Sequence, residues 1–176
     1  QMTWNDEFEG ETIDDTKWTV YDNRTHGDQE LQLYLASQVY VSNGSLVLRT
    51  SQEKALYGSK VYNFTSGWVE SQDKFSQQFG RFEIRAKLPD PRVLGIWPAI
   101  WLMPQQNPWN CWPVGGEIDI MEATGGDNNN TVYGTYHYGA NCSDSEGSDP
   151  QDIRLDSTGT QCTCGCGCDL RHGPNG

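Results

Sequence analysis

Apolar residues in this chain recur with period two in short runs and almost never with the period of a helix, which restricts it to β architectures. Val39 to Val41 and Ser45 to Arg49 flank Asn43-Gly44, a strong hairpin signal. From Phe79 to Leu88, Phe82, Ile84 and Ala86 fall on one face and Arg81, Glu83, Arg85 and Lys87 on the other. Further strands are expected over 67–71, 95–103, 117–123 and 132–138. Regular strand spacing with Gly-rich turns predicts an all-β fold, an antiparallel β-sandwich. No internal repeat is present. At 176 residues the chain has room for one sizeable core.

Past Cys142 the character changes. Residues 143–152 are polar and acidic, and 159–176 carry almost no apolar residue apart from cysteine. Such a segment cannot bury a core. We therefore expect a folded domain over 1–147 and a disordered Cys/Gly-rich tail over 148–176.

Acidic residues outnumber basic ones 24 to 12, a formal net charge of −12. That surface repels phosphate backbones and anionic lipid, which argues against nucleic-acid and membrane partners. Neutral polymers are not repelled. The longest apolar runs fall far short of a membrane span. Acceptor sequences for N-glycosylation at Asn23, Asn43, Asn63, Asn129 and Asn141, with an even count of six cysteines, point to an oxidising, secreted setting. Cys111 and Cys142 bracket the strand at 117–123 and the next one, so a hairpin would bring them together. A disulfide there would stabilise by about 3–4 kcal/mol in the chain-entropy view.

The chemistry is concentrated in Gly115-Gly-Glu-Ile-Asp-Ile-Met-Glu122. Strand alternation puts Glu117 and Asp119 on one face, with Ile118 and Ile120 toward the core. Glu122 is out of phase by one residue. A β-bulge at Ile120 or Met121 returns it to the acidic face, and bulges are frequent beside active sites. Glu117 and Glu122 then stand roughly 13 Å apart at Cα. Side chains leaning together on a concave strand can close to the ~5–5.5 Å of a retaining glycosidase pair. One carboxylate attacks, the other delivers a proton, and Asp119 between them holds Glu117 and raises the pKa of a neighbouring carboxyl. The competing reading is an ordinary solvated acidic face.

Trp97, Ala99 and Trp101 share one face of the preceding strand, a wall on which the C–H faces of sugars can pack. Core packing is the alternative. Trp109 and Trp112 lie in a Pro/Asn-rich loop as candidate rim contacts. His137 reaches the acidic face if its strand pairs with the catalytic one; a structural histidine is the alternative.

These residues resemble the family 16 glycoside hydrolases, and within them the laminarinase-like endo-1,3-β-glucanases. The likeness runs through Trp4 to Phe8, Glu30 to Gln32, Gly80 to Pro89, Trp97 to Trp101, Gly116 to Glu122 and Gly134 to His137, across about 140 residues. The resemblance implies a concanavalin A-like jelly-roll, incomplete at the C-terminus, that hydrolyses β-1,3-glucan with retention. It implies Glu117 as nucleophile, Asp119 as assisting acid and Glu122 as acid/base. Trp97, Trp101, His137 and Trp112 would contact substrate. The six-residue Glu-x-Asp-x-x-Glu form is that of the 1,3-glucanases. A non-catalytic glucan-binding protein on the same scaffold, or an inactive product, is the rival. No cofactor is required on this reading, although a structural calcium with Gly44 among its ligands is implied by the resemblance. The expected state is a monomer. Cys162, Cys164, Cys166 and Cys168 lack a surrounding fold that would make them a metal site.

Overall fold

The structure is a computed structural model that describes residues 1–27, 30–106, 111–126, 131–139 and 142, together with the backbone of 148–154. It divides into two compact units, 1–80 and 81–176. Among the described residues, helix is confined to one short 3-10 turn, Ala36–Gln38, and no helix is long and apolar enough to cross a membrane.

The first unit carries β1 (Thr19–Val20), β2 (Gln32–Tyr34), β3 (Val39–Val41), β4 (Leu46–Leu48), β5 (Ala55–Tyr57), β6 (Lys60–Tyr62), β7 (Phe64–Ser66) and β8 (Val69–Glu70). They pair as β1–β8, β3–β4 and β5–β6, all antiparallel, and β2–β7, which is parallel. The parallel pair departs from the wholly antiparallel expectation. Nothing in a three-residue run fixes its direction, since alternation is the same read either way.

The β3–β4 hairpin forms at the expected turn. Asn43 (φ 50°) and Gly44 (φ 68°) both occupy the left-handed region, and Ser42 and Ser45 exchange backbone hydrogen bonds. Inside this unit Gln38 and Thr65 are fully buried and satisfy one another, Gln38 Nε2 donating to Thr65 Oγ1 at 2.7 Å. Arg49 Nε donates to Gln38 Oε1 at 2.7 Å, and the Thr65 hydroxyl donates to Glu53 at 2.8 Å.

The second unit holds β9 (Ala99–Leu102), β10 (Glu117–Glu122), β11 (Thr131–His137) and β12 (Ser148–Arg154), in the order β12-β11-β10-β9 with every pair antiparallel. β12 carries the sheet past residue 147, where the sequence suggested that the folded part ends. Its Ser-Asp-Pro-Gln-Asp-Ile-Arg has no apolar alternation to announce a strand, and its ladder to β11 supplies the order instead. The rest of the expected tail, residues 155–176, lies outside the described residues.

Two expectations are corrected here. The run from Phe79 to Leu88 is not a strand: it has no ladder partner among the described residues, and extended chain becomes sheet only when a neighbour takes up its N–H and C=O groups. Its apolar face is open, with Phe82 41% and Ile84 46% exposed. Ile118 was expected to be a core residue but is 47% exposed, because the packing that covers Met121 and Val132 on the same side of the sheet does not extend to it. The small core of the unit lies nearby, where Met121 and Val132 are buried against Leu88, Ile100 and Ala123.

Candidate active site

β10 has the bulge that its sequence requires. Against β9, Asp119 stands opposite Trp101 and Met121 opposite Ile100, so Ile120 is the extra residue. Against β11 the register shifts between Asp119 and Glu122, which face Thr135 and Tyr133. The insertion brings Glu122 back to the face of Glu117 and Asp119. Gly116 (φ 77°) feeds the chain into the strand from the left-handed region, a conformation that strains any residue with a Cβ.

Neighbouring strands complete the site. Ala99 pairs with Glu122, Trp101 with Asp119, and His137 with Glu117. His137 Nε2 lies 2.9 Å from Asp119 Oδ2. Trp97, just before β9, donates its indole N–H to Glu122 Oε1 at 2.9 Å. Trp112 donates its own to Glu117 Oε2 at 2.5 Å, and its ring meets that of His137 with centroids 5.4 Å apart. Each outer glutamate thus receives one indole donor on one oxygen, and among the described residues no side-chain donor is seen on the other.

Asp119 is the buried member, 5% exposed. Burial raises its pKa to about 7, with the charges of Glu122 and then Glu117 adding to the shift and His137 opposing it. The sequence had suggested that Asp119 acts on its neighbours. The structure adds that burial and those neighbours act on Asp119. No lysine or arginine forms an ion pair with the three acids among the described residues. Asp119, Glu122 and His137 are also the one group of three or more metal-ligating side chains found there.

The structure therefore brings together Glu117, Asp119, Glu122, Trp97, Trp101, His137 and Trp112. Trp112 was expected only as a rim contact with sugar; its bond to Glu117 was missed, because a loop has no period from which a contact can be read. Its signal was proximity: five residues before Glu117 and next to Cys111. Trp109 lies outside the described residues. Cys111 and Cys142 come within bonding distance, their Cα atoms 5.4 Å apart, inside the range of disulfides. Gly44 stands at the tip of its turn, with open space where a Cβ would project, and the calcium expectation gains no support there.

Comparison with known proteins places the chain in a family. The sequence model of the XgeA-like, catalytic GH16 domain matches residues 10–175, farther along the chain than the motifs alone reach. A β-glucanase of Rhodothermus marinus is 39% identical over 144 residues, covering 78% of this chain and 48% of its own. Glucan endo-1,3-β-glucosidase A1 of Niallia circulans is 36% identical over 152 residues, covering 78% of this chain and 22% of its own. This chain thus spans less than half the length of either relative. The laminarinase catalytic domain of Thermotoga maritima superposes with a TM-score of 0.79 at 34% identity, over 89% of this chain and 63% of that one. The all-β jelly-roll class expected from the sequence is the class of these laminarinases. With a catalytic-domain match over nearly its whole length, the chain belongs to glycoside hydrolase family 16 and is laminarinase-like.

Proposed function

We propose that this protein hydrolyses β-1,3-glucan internally and with retention, Glu117 attacking the anomeric carbon and Glu122 serving as acid and then base. The observation that carries the reading is the bulge at Ile120, which puts Glu117, Asp119 and Glu122 on one face of one strand. The names of the relatives, glucan endo-1,3-β-glucosidase and laminarinase, support the substrate class.

The two indole donors suit a division of labour. Trp112 occupies Glu117 Oε2, so Oε1 is the attacking oxygen; Trp97 occupies Glu122 Oε1, so Oε2 carries the proton to the leaving oxygen. Asp119, whose Oδ2 lies 2.9 Å from His137 Nε2, positions the pair and tunes its charge. Trp97 and Trp101 offer aromatic surface to the sugar on the same side. A purely binding role would not need both glutamates, and both are present. Secretion, a Cys111–Cys142 disulfide, a monomeric state and a β-glucan partner rather than nucleic acid or membrane complete the proposal. No cofactor takes part in the reaction; a structural calcium remains part of the proposal without assigned ligands beyond Gly44.

The test is reducing-end release from laminarin, lichenan and agarose. Laminarin should be the best substrate. Glu117→Gln should abolish turnover while glucan binding survives, and azide should partly rescue Glu122→Ala on substrates with activated leaving groups. Loss of less than tenfold in both variants would sink the assignment.

A further inference from the structure

Asp119, Glu122 and His137 each bring one ligand atom to within 4.8 Å of the others. They stand on paired strands, β10 and β11, so the spacing is held by a hydrogen-bonded ladder. The set comprises one imidazole nitrogen and two carboxylate oxygens, all on the face that substrate would approach. A second observation points at a missing partner. Asp119 Oδ2 is buried and, although His137 Nε2 lies 2.9 Å away, receives no aligned hydrogen bond. Buried polar atoms are nearly always satisfied, so a buried carboxylate oxygen whose near donor, His137, is not aligned with it has room for a further cation. None of the described lysines or arginines supplies one.

We propose that these three side chains form an inhibitory site for a divalent transition-metal ion of the zinc class. Imidazole with carboxylates suits zinc, copper and nickel, whereas calcium and magnesium prefer oxygen throughout. Bonds from zinc to nitrogen and oxygen are about 2.0–2.2 Å, so ligand atoms on opposite sides of the ion stand at most about 4.4 Å apart. Side-chain adjustments of a few tenths of an ångström therefore draw this set onto an ion, with the remaining position open to water. A bound ion holds Glu122 as carboxylate and denies it the proton that it must deliver. Metal, proton and sugar then compete for one place. Binding of the ion is independent of the glucan reading; the inhibition rests on it.

The test is calorimetric titration of zinc into the chelator-treated chain. Cys162, Cys164, Cys166 and Cys168 are replaced by serine, so that thiolates do not compete. One ion should bind per chain. His137→Gln and Asp119→Asn should each weaken binding tenfold or more, Glu117→Gln no more than threefold, and calcium should not displace the ion. Crystals soaked in zinc should give an anomalous peak between the three side chains, a readout that does not depend on any variant folding. Zinc affinity unchanged in both ligand variants, or a peak elsewhere, overturns the site. Zinc seated there without lowering laminarin turnover overturns the inhibition. Zinc bound in a chain that cleaves no glucan would count against the hydrolase reading and leave the metal site standing.

Discussion

Asp119 carries the conflict built into this site: a carboxylate 5% exposed between two others. An unfolded aspartate titrates near ~3.9, whereas burial, Glu122 and Glu117 hold this one at about 7. A raised carboxyl pKa means that the folded state keeps the proton longer. Its favourable contribution is fully present below about pH 4 and is lost as the pH rises through about 7. Asparagine imitates the protonated form and does not titrate. We therefore expect Asp119→Asn to gain urea-midpoint stability relative to the parent at pH 8 and to lose most of that advantage at pH 5, while turnover falls less than in the glutamate variants. Paired urea melts at the two pH values measure the difference. A gap that is constant or widens toward pH 5 would mean that Asp119 does not carry this raised pKa. The acids were legible in the sequence because alternation fixes faces and a five-residue separation demands a bulge. The indole donors were not, since Trp97 and Trp112 act from outside any strand. A side chain's reach from a loop depends on packing that no periodicity records.

Among the elements, the segment 91–98 decides where Trp97 stands. Three backbone bonds hold it to the chain leaving β10: Ala123 N–H to the Pro98 carbonyl, Gly125 N–H to Ile96 and Gly126 N–H to Pro91. The approach is close enough to exclude a side chain at Gly125, where a Cβ would meet the Val93 carbonyl oxygen at 1.9 Å and Ile96 backbone atoms at 3.0 Å. All of these obstacles are backbone, so the loop itself has to move. Gly125→Ala should destabilise by about 1–3 kcal/mol, the range for overpacking. It should also lower kcat by pulling Trp97 away from Glu122. Thermal melts and laminarin kinetics on one preparation check both halves; a variant that matches the parent in both would show that the loop tolerates displacement. The elements themselves were unevenly readable. β3, β4, β10 and β11 fall where alternation and turn residues put them. The run from Phe79 to Leu88 has the clearest alternation in the chain and still forms no strand among the described residues, because a pattern specifies which face is apolar but cannot supply the neighbour. β12 is the converse, a strand made by its neighbour.

At the scale of the molecule, some of the apolar side chains left open in the second unit are neighbours. Ile118 and Tyr136 stand opposite one another on β10 and β11, with the half-buried Leu102 beside them on β9, on the side of the sheet opposite the acids. Ile118 is 47% and Tyr136 49% exposed, and Tyr136 stacks on Tyr138, itself 49% exposed. Single exposed apolar residues are ordinary, but a contiguous row on a flat strand surface is a liability for packing and solubility. A sheet whose apolar face is covered only in part buries less area per residue than a fully covered one, and both the sharpness of melting and the urea m-value scale with the area buried. This 176-residue chain should therefore bind the hydrophobic dye ANS in native buffer, melt broadly and give a low m-value. Ile118→Gln should lower the dye signal, because it breaks the row at its centre without touching the acidic face. The motif for catalysis can thus be intact in a chain whose turnover is limited by the looseness of the sheet that presents it. A sharp, cooperative melt without dye binding, together with laminarin turnover like that of longer relatives, would mean that the row is covered in solution and would refute this account.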